Sequence, residues 1–271
     1  MSLKLSDATH FPTLGVDDIF PGDPCMPIPS AEALNDLAPT GVLRAAINFG
    51  NPVLAQRNAE TGQPQGVSVS LAVELGRQLG VPVEFVTYDA AGKVFEALAQ
   101  QQWNVAFLAI EPVREAQVAF SEPYVIIEGT YLVKNDSAFL KMEDLDQPGV
   151  RIAVGQGAAY DLYLSRTQQH ASLVRAPTSA GAVDLFLDEG LDAAAGVRQP
   201  LLKVAEANSE LRVLEGYFTS IRQAMGVPVQ CIAGAAYVRA FLEEQKANGF
   251  VRKALDDSGQ SDVTVAPLQG H

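Results

Sequence analysis

Cysteine and histidine are scarce: 2 and 3 in 271 residues. Cys25 and Cys231 form no CxxC pair, which removes a structural zinc ribbon and a dithiol redox site and leaves a single disulfide open. His10, His170 and His271 stand in no ligand spacing, so neither a metal centre nor a histidine-based triad is expected. Long hydrophobic runs are missing too, none approaching the roughly 18 apolar residues that cross a bilayer. Positive charge is the third scarcity. The formal net charge is -13, with no local cluster of Lys and Arg, and such a surface repels nucleic-acid phosphates and anionic lipid headgroups. No nucleic acid partner and no cofactor is expected, and any anionic ligand must meet one of the few arginines in a locally positive pocket.

What is present is the balance of a globular chain, 48% hydrophobic and 19% charged, enough to bury a sizeable core. The start, MSLKLSDATHFP, has no apolar segment of the signal-peptide type, and Met1 to Leu3 reads as a short leader standing where one would be. Pro12, Pro21, Pro24, Pro27, Pro29 and Pro39 forbid long helices and central strands, so residues 1–40 read as an extended arm with a helical turn near Ala31 to Leu37.

From Val42 the pattern changes. VLRAAINF predicts a strand. A helix from Ser68 to Leu79 follows, with Leu71, Leu75 and Leu79 on one face and Gly80 as its stop. PVEFVTY, AGKVFEALAQQQ and NVAFLAI give strand, helix and strand, the last apolar throughout as in a parallel sheet covered on both faces. RIAVG, a helix from Ala158 to Arg166, SLVRA, AGAVDLFLDE and LDAAAGV repeat the order. Two β-α-β-α-β units therefore span Val42 to Ile110 and Arg151 to Val197. The extended stretches PYVIIEGTYLVKN and YFTSIRQAMGVPV link them, and helices Ile232 to Ala247 and Phe250 to Asp256 close the chain. The expected fold is α/β and two-lobed, each lobe a mainly parallel sheet flanked by helices, with a double-stranded hinge. The arm takes residues 1–40, lobe one 41–128 and 223–271, and lobe two 129–222.

Ligands of open parallel sheets bind outside the carboxyl ends of the strands. Arg114 lies just past the third strand of lobe one, on the first turn of a helix opening at Pro112, where its guanidinium can fork onto a carboxylate or instead pair with Glu111 or Glu115. GQGAAY offers the backbone N–H groups of Gly157, Ala158 and Ala159 at a helix start, an anion site or a plain turn; the third glycine of a dinucleotide fingerprint is missing. Arg198 ends the last strand of lobe two and would be a second cleft cation if it points inward. Asn48, Phe49 and Asn51, past the first strand, could supply amides and an aromatic wall. Trp103, Tyr124 and Tyr131 read as packing residues, with Tyr124 the best candidate among them for a cleft wall.

GVLRAAINFGNPVL, GQPQGVSVSLAVELGRQLGVPVEFV, VREAQVAFSEPYVIIEGTYLV and RIAVGQGAAYDLYL, taken together, resemble the type II periplasmic solute-binding proteins, the amino-acid-binding branch of ABC importers, over Gly41 to Pro267. The resemblance implies that Arg114 holds the ligand's carboxylate and that the Gly157 to Ala159 N–H groups share it. It implies a periplasmic, monomeric protein whose ligand is a small anionic or zwitterionic molecule and whose partner is an ABC permease. The chain departs from the family pattern at LAIEPV, shorter and poorer in hydroxyls, at Ala158 in place of Ser or Thr, and at Val197, where an acidic residue would accept an ammonium. Glu111 is the candidate substitute for that acid; otherwise the ligand is an organic acid without an amine. Two other functions use the same scaffold. One is a periplasmic dehydratase with Glu111, Glu122 or Glu128 as general acid, and the other is a ligand-sensing module.

Overall fold

Ser30 opens the ordered architecture by accepting a hydrogen bond from the Ala33 N–H on its Oγ, which caps helix α1 (Ala31–Leu37). The computed structural model describes residues 28–270; Cys25, His10, His271 and most of the arm lie outside them. Strand β1 (Leu43–Asn48) is followed by a small hairpin, β2 (Gln56–Arg57) and β3 (Pro64–Gln65), and then by α2 (Val67–Leu79). Leu71, Leu75 and Leu79 of α2 are buried, and Gly80 ends the helix in the left-handed region at φ 69°. Next come β4 (Val83–Tyr88), α3 (Ala91–Glu96), β5 (Val105–Ala109), the single turn α4 (Pro112–Glu115) and the 17-residue strand β6 (Val118–Lys134).

The second lobe contains β7 (Arg151–Gly155), α5 (Ala159–Thr167), β8 (Ser172–Ala176), α6 (Ser179–Asp188), β9 (Ala193–Val197), α7 (Arg198–Ala207) and the short β10 (Leu211–Val213). The chain returns along β11 (Thr219–Pro228) and finishes with α8 (Ile232–Ala247), α9 (Phe250–Asp257) and β12 (Thr264–Val265).

Strand order in the large sheet is β4-β1-β5-β11-β6-β9-β7-β8. β1 pairs in parallel with β4 and β5, and β7 with β8 and β9, so each lobe carries the parallel core that its apolar strands predict. β5 is buried at all five positions. β6 and β11 join the two halves: they run antiparallel from Val118–Pro228 to Gly129–Thr219. β11 borders β5 from Gln223 to Gly226, while β6 borders β9 from Gly129 to Leu132. The two linking stretches are thus one pair of neighbouring strands that connects the lobes.

The helix expected over AGKVFEALAQQQ is shorter than its pattern. It tightens into a 3-10 turn at Ala97–Gln100, and Gln101 adopts φ 52°. The indole N–H of buried Trp103 donates to the Val94 carbonyl at 2.9 Å, taking an acceptor that a continuing α-helix would use. β6 starts earlier than predicted, at Val118, because Val118 to Phe120 gain β11 as a partner. α1 packs on α8, and Asp36 accepts the Gly234 N–H at 2.9 Å, satisfying a free donor of the first turn of α8. The Cys231 thiol lies 3.9 Å from the Asp36 carbonyl and joins no disulfide among the described residues.

Candidate functional site

Pro112 stands at the first helical position of α4, where its missing N–H costs nothing, and Glu111 caps the turn in extended conformation. This one turn projects Arg114 away from solvent. The side chain is 1% exposed, and its Nη1–H donates to the Ala109 carbonyl at the end of β5 at 2.9 Å. Its Nη2–H donates at 2.8 Å to the Gly157 carbonyl, on the turn between β7 and α5. One side chain from the first lobe therefore reaches the second. Burial pushes its pKa down to about 10, with the Glu111 carboxylate acting in the opposite direction.

Beside the guanidinium is a cavity of about 40 Å³ whose walls come from both lobes, including Asn51, Phe107, Ala158, Val197, Ile221 and Gln223. Gly92 and Gly157, each next in sequence to a lining residue, approach each other between the lobes. Gly157 has φ 70°, and a Cβ on it would stand 2.8 Å from the Gly92 Cα, so the lobes touch through bare backbone. A larger groove of about 440 Å³ runs between β3, α2 and α9. Its lining includes Glu74 and Asp257 but no Lys or Arg, and it meets no second lobe, so the smaller cavity is the one suited to an anion.

The predicted residues divide. Arg114, Asn51, Ala158 and Ala159 line the cavity, and Ala159 is the first helical residue of α5, a position with no acceptor inside its own helix. The Gly157 N–H is not free, contrary to expectation: the buried Asp161 carboxylate accepts it at 2.9 Å, and Arg175 holds that carboxylate in turn. The Ala158 N–H is likewise used, donating to the Gly155 carbonyl at 3.1 Å. Arg198 is not a second cleft cation. It opens α7 and turns toward the hinge, where it pairs with Glu128 and donates to the Gly216 carbonyl, because that carboxylate and carbonyl offer a closer anionic partner than the cleft. Asn48 spends its Oδ1 on the Gly50 N–H, and Phe49 lies under the Arg57 guanidinium at 4.2 Å rather than on the cavity. Glu111 is 8% exposed, with its Oε2 2.7 Å from Arg166 Nη1, an ion pair across the lobes in which no N–H is aligned for a hydrogen bond. Tyr124 is core, its hydroxyl 3.2 Å from Ser68 Oγ and burial raising its pKa.

Sequence reasoning missed the hinge strand as a source of site residues. Ile221 and Gln223 of β11 face the cavity, and Gln223 is 6% exposed. The alternation along YFTSIRQAMGVPV places these two residues on one face, but nothing local says that the face is the cleft.

Residues 43–257 match the bacterial extracellular solute-binding proteins, family 3. The chain belongs to this family. Among solved structures, the cysteine-binding protein from Campylobacter jejuni is similar at 20% identity and a TM-score of 0.74, covering 86% of this chain and 98% of that one. Holo ArgBP from T. maritima is similar at 23% identity and a TM-score of 0.68, covering 81% and 98%. A third, an ancestral amino acid-binding protein that is a precursor of cyclohexadienyl dehydratase, is similar at 24% identity and a TM-score of 0.70, covering 83% and 98%. At these identities the likeness shows the fold, the two-lobed type II architecture of the family. By sequence, the chain is 24% identical over 172 residues to the cyclohexadienyl dehydratase of Pseudomonas aeruginosa, spanning 59% of this chain and 63% of that enzyme.

Proposed function

We propose that this family 3 solute-binding protein takes a small carboxylate-bearing solute between its lobes in the periplasm and, as a closed monomer, presents it to an ABC permease. The observation that carries the reading is the Arg114 guanidinium, buried beside a two-lobed cavity in a chain of net charge -13. No carboxylate lines that cavity. A solute carboxylate would receive charge-assisted hydrogen bonds from Arg114 and from the start of α5, contacts that exist together only when the lobes meet, and this differential stabilises closure. Amino-acid-binding relatives among the structural neighbours fit such a site.

Titration calorimetry and thermal-shift screening of amino acids and organic acids test it. A ligand is expected whose affinity falls about a hundredfold in Arg114→Met, the loss of about 3 kcal/mol that a bidentate charge-assisted contact carries. Undiminished binding by the variant overturns the reading.

The likeness to cyclohexadienyl dehydratase keeps a second reading in view, an enzyme on the same scaffold. A general acid must touch the leaving hydroxyl. Glu111, the nearest candidate, is engaged by Arg166 and does not line the cavity, while Glu122 and Glu128 pair with Arg222 and Arg198. Release of product from prephenate or arogenate would establish this reading in place of the first.

A further inference from the structure

We infer that the ligand is a short monocarboxylic acid whose second carbon carries a neutral oxygen, a 2-hydroxy or 2-oxo acid, and that Gln223 reads that oxygen. The inference rests on the carboxylate reading of the same cavity and narrows it.

The charge around the cavity comes first. Arg114 is a cation, and the lining holds no Asp or Glu. An α-ammonium would be a second cation beside Arg114, needing a carboxylate or several free acceptors. Several acceptors at and beside the cavity are already engaged. The Ala109 and Gly157 carbonyls take the Arg114 N–H groups, Asn51 Oδ1 takes the Val53 N–H at 3.3 Å, and Ser179 Oγ takes the Tyr160 hydroxyl at 2.9 Å. Val197 presents an aliphatic wall at the end of β9, and Glu111 is held by Arg166.

Gln223 is the exception. It lines the cavity, is 94% buried by its 6% exposure, and its side chain has no hydrogen-bond partner among the described residues. Its amide atoms open onto the cavity, where they can meet a group that arrives with the ligand. An amide can donate to a keto oxygen and can both donate to and accept from a hydroxyl. Size sets the other bound. At about 40 Å³ the cavity has room for roughly three water-sized spheres, which suits an acid of about three carbons.

Calorimetry at pH 7 with three probes of matched size, L-lactate, propionate and L-alanine, tests the assignment on the wild-type chain and on Gln223→Leu, with thermal melts confirming that the variant folds. Lactate is expected to bind at least tenfold more tightly than alanine, and about tenfold more tightly than propionate. Gln223→Leu is expected to erase the difference between lactate and propionate while leaving propionate unchanged. Alanine binding as tightly as lactate, or an equal loss for lactate and propionate in the variant, overturns the inference. Alanine binding that depends on Arg114 would overturn it while leaving the carboxylate reading intact. Failure of all three probes also overturns it, and the broader acid screen then judges the carboxylate reading by itself.

Discussion

Arg114 is a residue whose burial works against folding. Burial lowers its pKa to about 10, so part of the stability is withheld from the folded protein while the group is charged. The sign follows from proton binding. Above about pH 10 the unfolded chain holds the proton more tightly, so the deficit is full below pH 10 and is relieved as the pH rises beyond it. An anion bound beside the guanidinium supplies the missing counter-charge at neutral pH. Ligand-free Arg114→Met should therefore stay within about 2 kcal/mol of the wild type in urea unfolding, since removing the charge offsets the hydrogen bonds lost at Ala109 and Gly157. A loss well beyond that would make Arg114 a structural residue. Position four after an apolar strand made this arginine visible in the sequence. The loss of the Gly157 N–H to Asp161 was not visible, because an aspartate two residues into a helix looks like ordinary first-turn acid.

Among elements, the turn between β7 and α5 and the helix α8 show what positions the site. Gly157→Ala places a Cβ at φ 70° and within 2.8 Å of the Gly92 Cα. The left-handed strain costs about 1 kcal/mol, and the contact keeps the lobes apart. Ligand affinity should fall about tenfold with the unliganded fold retained, a combination that calorimetry together with circular dichroism checks. Farther away, Lys246 of α8 is almost fully buried and donates to the carbonyls of Pro123 on β6 and Pro267 in the tail, beside Glu243. It ties the C-terminal segment to the hinge strand. Lys246→Ala should lower stability by about 2 to 4 kcal/mol, read from the urea midpoint, because two buried carbonyls lose a charged donor. Helix α8 itself was legible to the residue, from Ile232 to Ala247, since its apolar stripe and the proline and glycine breaks flanking it are local signals. Lys246 gave no such signal: a lysine near a helix C-terminus reads as a solvated charge.

For the whole molecule, closure is a balance of weak contacts across a two-strand hinge. The Glu111–Arg166 pair spans the lobes at 2.7 Å, but the arginine side chain is 43% exposed, so the pair contributes about 0 to 1 kcal/mol and is screened by salt. Arg166→Gln should enlarge the radius of gyration of the unliganded protein in small-angle scattering and weaken ligand binding by at most about fivefold. Salt should produce the same shift in the wild type and none in the variant. Equal salt responses in both would show that the pair does not hold the lobes together.

The amino-acid sequence by itself determined the alternation of strands and helices, the two repeated units and the arginine after the third strand, because hydrophobic period, glycine stops and proline positions act within a few residues. Tertiary structure alone decided which groups share the cavity. Arg198 found Glu128, Glu111 found Arg166, and the hinge strand turned Ile221 and Gln223 inward. Those choices depend on partners far away in the chain, and local pattern carries no information about which distant charge or strand edge will come within a few ångströms.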